Sequence, residues 1–287
     1  MRNAFITGAT VGQGNMLVKK LAAQGWRVFA GILPGAETDL QASDNIILVD
    51  QDVSDFESVR KSAELVKSTL GNEPLELVMN VAGVANMCQG TIEGLRLDEL
   101  QTIFAINTFG QVAVCQYMLP MVRKAGKQGK IFNFGSGAVV ANPPTAGAYN
   151  MSKHAVHGLT MTLRLELAPF GTQVTSIWPG AVFTAMTENS RALTAHAWTR
   201  QTEEAQKVYE PYLKEGVCEK LPETIEKLGN TPDYVTDGVI KLIDKDKLKP
   251  YYLIGKKDAE PLGPMSKILP NSVFEAIIRK SYAIPSA

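Results

Sequence analysis

The first 180 residues alternate short, continuously apolar runs with longer amphipathic stretches, and that alternation leaves few folds open. Ala4–Thr7, Arg27–Ile32, Ile46–Val49, Leu75–Asn80, Lys130–Phe134 and Val174–Trp178 read as strands, with Tyr251–Ile254 as a seventh. Between them, helical spacing predicts helices over Gly14–Gln24, Leu97–Lys124 and Ala148–Leu167. Ser54-Asp55-Phe56-Glu57 reads as a capping box that opens a further helix. Strands that are apolar along their whole length are buried on both faces. This implies an α/β fold, a mostly parallel seven-stranded sheet covered by helices on either side.

Residues 185–230 differ from this pattern. They are richer in Thr, Glu and Lys and carry helical pieces without a strand. They are expected to form a helical lid over the carboxyl edge of the sheet, where ligands bind in open α/β folds. Thr231-Pro232 then caps a helix through Leu242. Three prolines (Pro261, Pro264 and Pro270) precede a final amphipathic piece, Val273–Tyr282. At 287 residues the chain is expected to be one domain, with the lid at 185–230 and a tail at 256–287.

Composition narrows the function classes. Lys+Arg and Asp+Glu are both 29, so there is no positive surplus to neutralise phosphates, and nucleic acid is not an expected partner. Cys88, Cys115 and Cys218 have no CxxC spacing, which suits neither a disulfide framework nor a metal cluster. No run approaches the ~20 apolar residues of a membrane span, and no apolar leader precedes the first strand. A cytoplasmic location is expected, with peripheral attachment to a membrane left open.

The first strand runs into Gly8-Ala9-Thr10-Val11-Gly12-Gln13-Gly14 and then a helix. A loop of this kind turns backbone N–H groups and a positive helix end toward a pyrophosphate. Gly8, Thr10, Gly12, Gln13 and Gly14 are therefore candidate dinucleotide contacts. A 2′-phosphate calls for Arg or Lys, but none occurs between Val28 and Val59 or between Gly8 and Gly14. This favours NAD over NADP, although strand two ends in Gly31-Ile32-Leu33 without an acid, and Glu37 and Asp39 come only later.

Tyr149 and Lys153 are four residues apart in a helix and share a face. Tyrosine has an unperturbed pKa of about 10. An adjacent ammonium is expected to lower it; a fall of about three units corresponds to roughly 4 kcal/mol of differential interaction. The phenol could then exchange a proton with an alcohol or carbonyl near neutral pH. Ser136, after the fifth strand, could hold the substrate oxygen. Asn107, in an otherwise apolar helix, needs partners and could hold a water that reloads the lysine.

Together these residues resemble the short-chain dehydrogenase/reductase family. The carriers are Thr7–Gly14, Asp52-Val53, Asn80-Val81-Ala82-Gly83, Asn107, Ser136, Tyr149 with Lys153, and Pro179-Gly180 with Thr184. The resemblance implies a single-domain, doubly wound Rossmann-type fold. It implies adenine contacts at Asp52 and Val53, and a brace beside the ribose from Asn80, Ala82 and Gly83. It also implies that Lys153 holds the nicotinamide ribose and Thr184 the carboxamide, beside Pro179 and Gly180. Two positions depart from the pattern: Val81, where a second Asn is usual, and Gly135, where Ser is common. Val28–Gly31 and Tyr251–Lys256 are most similar to the branch of retinol, 17β-hydroxysteroid and 3-hydroxybutyrate dehydrogenases. Similar proteins assemble through the helices around residues 97–124 and 148–168, so a homodimer or homotetramer is expected.

The expected activity is hydride exchange between a nicotinamide cofactor and a secondary alcohol or ketone. Phe183, Met186, His196 and Trp198, around the start of the lid, suit an apolar substrate such as a steroid, retinoid or lipid alcohol. An NADPH-dependent ketoreductase of small or polar carbonyls is the enzymatic alternative. A nucleotide-sensing binding protein is the non-enzymatic one.

Overall fold

The structure is a computed structural model that describes residues 1–85, 90–183 and 190–285. Its strands are β1 (Asn3–Ile6), β2 (Arg27–Ile32), β3 (Ile46–Asp50), β4 (Leu77–Asn80), β5 (Lys130–Phe134), β6 (Gln173–Pro179) and β7 (Tyr251–Ile254). They form one sheet in the order β3-β2-β1-β4-β5-β6-β7, and every pairing is parallel. The order reverses between β1 and β4, which makes the carboxyl ends of those two strands the switch point where such sheets bind ligands.

Helices α1 (Gly12–Ala23), α2 (Phe56–Leu70), α3 (Leu97–Phe104), α4 (Gly110–Lys124), α5 (Ala138–Ala141) and α6 (Gly147–Glu166) cover the sheet. Residues 190–230 contain α7 (Ser190–Thr199), α8 (Glu203–Tyr209), two π-helical turns and α9 (Leu221–Leu228). Then come α10 (Pro232–Ile243), α11 (Ala259–Ile268) and α12 (Asn271–Ser281). Among the described residues no helix is long and apolar enough to cross a membrane.

Alternate side chains of each strand feed two cores. Ala4 and Ile6 pack with Leu17 and Leu21 of α1 and Val235 and Val239 of α10. Phe5, between them in sequence, faces the opposite layer with Val59 of α2 and Val114 and Met118 of α4. These side chains are fully or almost fully buried, and each of them except Ala4 is worth about 1.5–3 kcal/mol in its removal from water.

Three local expectations change. First, α2 is capped by Asp55, whose Oδ1 accepts from the Glu57 amide at 2.9 Å. The Ser54 hydroxyl instead donates to Asp52 Oδ1 at 2.7 Å, so it is not the cap. Second, the stretch Leu97–Lys124 is continuous but widens into a π-helical turn at Ala105–Phe109. Third, the proline-containing tail forms two helices rather than one. Pro261 falls in the first turn of α11, where its missing N–H would have no helical partner anyway.

Candidate active site

The loop between β1 and α1 is built for close approach. Gly8 has φ +64°, and a Cβ there would lie 2.7 Å from Ala82 Cα. A Cβ on Gly14 would lie 2.3 Å from Gly8 O, so the loop closes on itself and on the segment after β4. Thr7 Oγ1 joins the same two strand ends by accepting from the Val81 and Ala82 amides, each at 3.0 Å. Gly12 has φ +66° with nothing within 4 Å of where its Cβ would be. No side chain caps the start of α1, where Val11 is the N-cap, and the first turn holds no acid. Its amide groups and positive helix end are left for an anion, and this donor set fits a dinucleotide pyrophosphate. Thr10 is engaged elsewhere, since its Oγ1 accepts from the Leu33 amide at 3.0 Å and ties the loop to the end of β2. Gln13 Oε1 is buried without a partner among the described residues.

Beyond β2, Asp39 is already engaged, accepting from Asn15 Nδ2 at 2.8 Å and pairing with Lys19 at 2.6 Å. The Lys19 ammonium and the Asn15 amide hold its carboxyl below the usual range. The same pair neutralises the nearest cation on α1. Asp52 accepts from the Ser54 amide and hydroxyl, and buried Val53 packs against Gly110.

Asn80 faces the sheet interior. Its Nδ2 donates to Asn133 Oδ1 at 2.9 Å, and Asn133 Nδ2 passes the chain to Thr160 Oγ1 at 3.0 Å. Gly83 lies against the catalytic candidates: a Cβ there would sit 3.1 Å from Asn107 Oδ1 and 3.3 Å from Lys153 Nζ. Asn107 occupies the π-helical turn. Its Oδ1 accepts from the Val84 amide at 2.8 Å, and its Nδ2 donates to Val84 O at 2.9 Å and Ser152 Oγ at 3.1 Å. The side-chain amide thus grips the chain after β4.

On α6, Tyr149, Lys153, Val156, Thr160 and Leu163 fall on one stripe, and the last four are buried. The stripe carries Lys153 into the protein, where Nζ donates to Phe134 O at 3.0 Å and lies 5.6 Å from the centroid of the half-buried Tyr149 ring. The Ser136 hydroxyl accepts from the Ala138 amide at 3.1 Å and neighbours the Tyr149 phenol.

Electrostatics here reverse the expectation from sequence. Burial pushes the Tyr149 phenol above its ordinary value, and the neighbouring Ser136 hydroxyl only partly offsets this. Burial also drives the Lys153 amine down, to about 8. The same burial that raises the phenol weakens the charged form of the lysine beside it. The arrangement therefore places a protonated phenol beside an amine that titrates near neutrality.

Gly135 departs from the family's usual Ser for a visible reason. A Cβ there would lie 2.7 Å from Trp178 Cδ1 and 3.0 Å from Ser176 Oγ. Pro179 O accepts from the Gly137 amide at 2.8 Å, and Gly180 N donates to Ile254 O at 2.9 Å. Asp258, which no sequence motif marks, reaches this turn from the tail. Its Oδ2 accepts from the Ala181 amide at 2.6 Å, and its Oδ1 from Asn230 Nδ2 at 3.0 Å.

Of the apolar-substrate candidates, Phe183 is exposed and packs beside Gly229, His196 is exposed, and Trp198 is buried. Two residues apart on α7, His196 and Trp198 point to opposite sides of the helix. Thr184 and Met186 lie outside the described residues. A cavity of about 860 Å³ lies at the other edge of the sheet, where Leu77, Lys130 and Gln173 begin their strands, and none of the site residues lines it.

Residues 2–194 match the family described as short chain dehydrogenase. Retinol dehydrogenase 7 of Rattus norvegicus is 31% identical over 238 residues, 81% of this chain and 74% of that protein. 17-beta-hydroxysteroid dehydrogenase type 6 of Bos taurus is 30% identical over 98% of this chain and 89% of its own length. A short chain dehydrogenase from Burkholderia cenocepacia J2315, solved in complex with NADP, superposes with a TM-score of 0.72 over 99% of this chain and all of that one. At 20% identity that likeness is one of fold.

Proposed function

The chain belongs to the short-chain dehydrogenase family of oxidoreductases, and on that premise we propose that it interconverts a secondary alcohol and a ketone on an apolar substrate, with Tyr149 as the acid/base. The observation that carries this reading is the convergence of the Ser136 hydroxyl, the Tyr149 phenol and the buried Lys153 amine at the carboxyl edge of the sheet.

A nicotinamide dinucleotide supplies or accepts the hydride when bound. Gly8, Gly12 and the uncapped start of α1 would hold its pyrophosphate, and Lys153 and the turn at Pro179-Gly180 would hold its nicotinamide end. The cation-free loops and the Lys19–Asp39 pair favour NAD over NADP.

In the direction of reduction, the Tyr149 hydroxyl gives its proton to the substrate oxygen while Ser136 donates a hydrogen bond to that oxygen. The Lys153 amine, titrating near 8, returns the proton to the phenol. Asn107 fixes the wall beside Lys153 through Val84 and Ser152. The names of the relatives support a retinoid, steroid or other lipid alcohol.

The test is Tyr149→Phe, assayed by nicotinamide absorbance against hydroxysteroids, retinol, 3-hydroxybutyrate and simple ketones. Loss of the proton donor should lower turnover by about 10²–10⁴-fold with cofactor affinity retained. Wild-type turnover by the variant would remove Tyr149 from the reaction. Comparing NAD(H) with NADP(H) affinity decides the cofactor.

A further inference from the structure

Gln201 sits at the junction of α7 and α8, about fifty residues after Tyr149 and Lys153. Its amide is buried and satisfied. Oε1 accepts from the Thr91 amide at 2.7 Å and from Thr91 Oγ1 at 2.9 Å, and Nε2 donates to Trp198 O at 3.3 Å. Two glycines make room for it. A Cβ on Gly90 would lie 2.7 Å from Gln201 Cγ, and one on Gly94 would lie 2.9 Å from Gln201 Oε1. Thr91 Oγ1 also accepts from the Gly94 amide at 3.2 Å, which fixes the rotamer that faces Gln201. Flanking contacts join the same two segments: the ion pair of Arg200 with Glu99, and the Tyr209 hydroxyl donating to Glu93 at 2.8 Å.

The segment under this latch touches the start of the helix that carries Tyr149. The Gly90 amide donates to Thr145 O at 2.6 Å, and Gly90 forms a parallel bridge with Ala146. Ile92 lies over Gly147, where a Cβ would come within 2.4 Å of Ile92 Cδ1. Thr145 has φ +61° and is buried. A β-branched residue in the left-handed region is strained and persists only where its surroundings hold it. What holds it here is the Gly90 amide, on the segment that Gln201 fixes.

We propose that Gln201 is a positioning residue for the Tyr149 site: by clamping the lid onto Thr91 it keeps the 90–92 segment against Thr145 and Ala146, and so sets the direction in which Tyr149 leaves the first turn of α6. The inference rests on the role of Tyr149 proposed above. Lid docking and orientation of the phenol are then one event. Displacing a reacting group by about 1 Å costs on the order of 10²-fold in rate.

Three variants test it. Gln201→Leu removes the amide at similar size. Thr91→Val removes only the hydroxyl, and Thr91→Ser restores it. Loosening the clamp should lower kcat by about 10- to 100-fold while leaving cofactor affinity unchanged, with Thr91→Ser close to wild type. Hydrogen exchange needs no turnover. In Gln201→Leu the Gly90 and Asn150 amides, which donate to Thr145 O and Ala146 O, should exchange faster. If exchange quickens only within residues 190–209, and KM rises with kcat unchanged, Gln201 stabilises the lid alone and the inference falls. If the wild type turns over none of the alcohols or ketones above, the proposed reaction fails and the exchange result alone decides the coupling.

Discussion

Gly135 and Trp178 interlock: the indole occupies the space a side chain at 135 would need, with Cδ1 2.7 Å and Nε1 2.8 Å from the position of the missing Cβ. The indole is fixed from its other sides. Nε1 donates to Ser176 Oγ at 2.8 Å, and the ring stacks on Tyr251 at 4.1 Å. Restoring the family's common residue with Gly135→Ser should therefore destabilise the protein by about 1–3 kcal/mol through overpacking. Urea melts would measure this, and pairing the change with Trp178→Leu should recover part of the loss. An additive double mutant would separate the two positions.

The phosphate loop offers a contrast between two glycines. Gly8→Ala meets both a left-handed φ and the Ala82 backbone, so it should cost more than about 2 kcal/mol and disturb the ends of β1 and β4. Gly12→Ala meets the same kind of φ but open space, so only the conformational cost of about 1 kcal/mol applies. Its new methyl group would sit on the first residue of the uncapped helix. Gly12→Ala should keep most of its stability yet lose dinucleotide affinity, as thermal melts and cofactor titration would show.

Lys153 should leave a signature in the pH dependence of stability. Its folded pKa of about 8 lies below the ordinary value of 10.5, so between them the unfolded chain holds the extra proton. Stability from this group rises with pH across that window and is flat below about 8. The stability difference between wild type and Lys153→Met should shift in favour of wild type by about 2 kcal/mol from pH 7 to pH 9.5. Tyr149 acts in the opposite sense, and only above its ordinary value of 10.0, because its raised pKa keeps the proton in the native state. Absorbance titration of the cofactor-free chain should accordingly place its ionisation above 10. A tyrosinate signal near neutral pH that Tyr149→Phe abolishes would overturn that order.

The features legible in the sequence are those with a local period or a short motif. Strand runs such as Arg27–Ile32 and Lys130–Phe134 lie where their apolar character puts them, since a strand buried on both faces admits little else. The spacing of Tyr149 and Lys153 misleads about electrostatics when taken without its continuation. Val156, Thr160 and Leu163 extend the same stripe, and that pattern marks the amine as buried. The choice of Asp55 over Ser54 as cap turns on which of two adjacent polar groups Asp52 captures. The π-helical turn around Asn107 is hidden because an apolar stretch tolerates one extra residue without changing its overall pattern. Gln201 and Asp258 are beyond reach for another reason. Their partners Thr91 and Ala181 lie 110 and 77 residues away, and such pairings leave no trace in either neighbourhood.

Asp258 also bears on how the molecule can be divided. The amino-terminal stretch that matches the family ends at residue 194, yet the turn after β6 depends on a carboxylate from the tail. A graft that joins residues 1–230 to a foreign carboxyl terminus would strip that turn of its support while sparing every motif by which the chain is recognised. Swapping tails between relatives would then rebuild the turn after β6, so divergence in the tail reaches the carboxyl edge of the sheet as well as the surface.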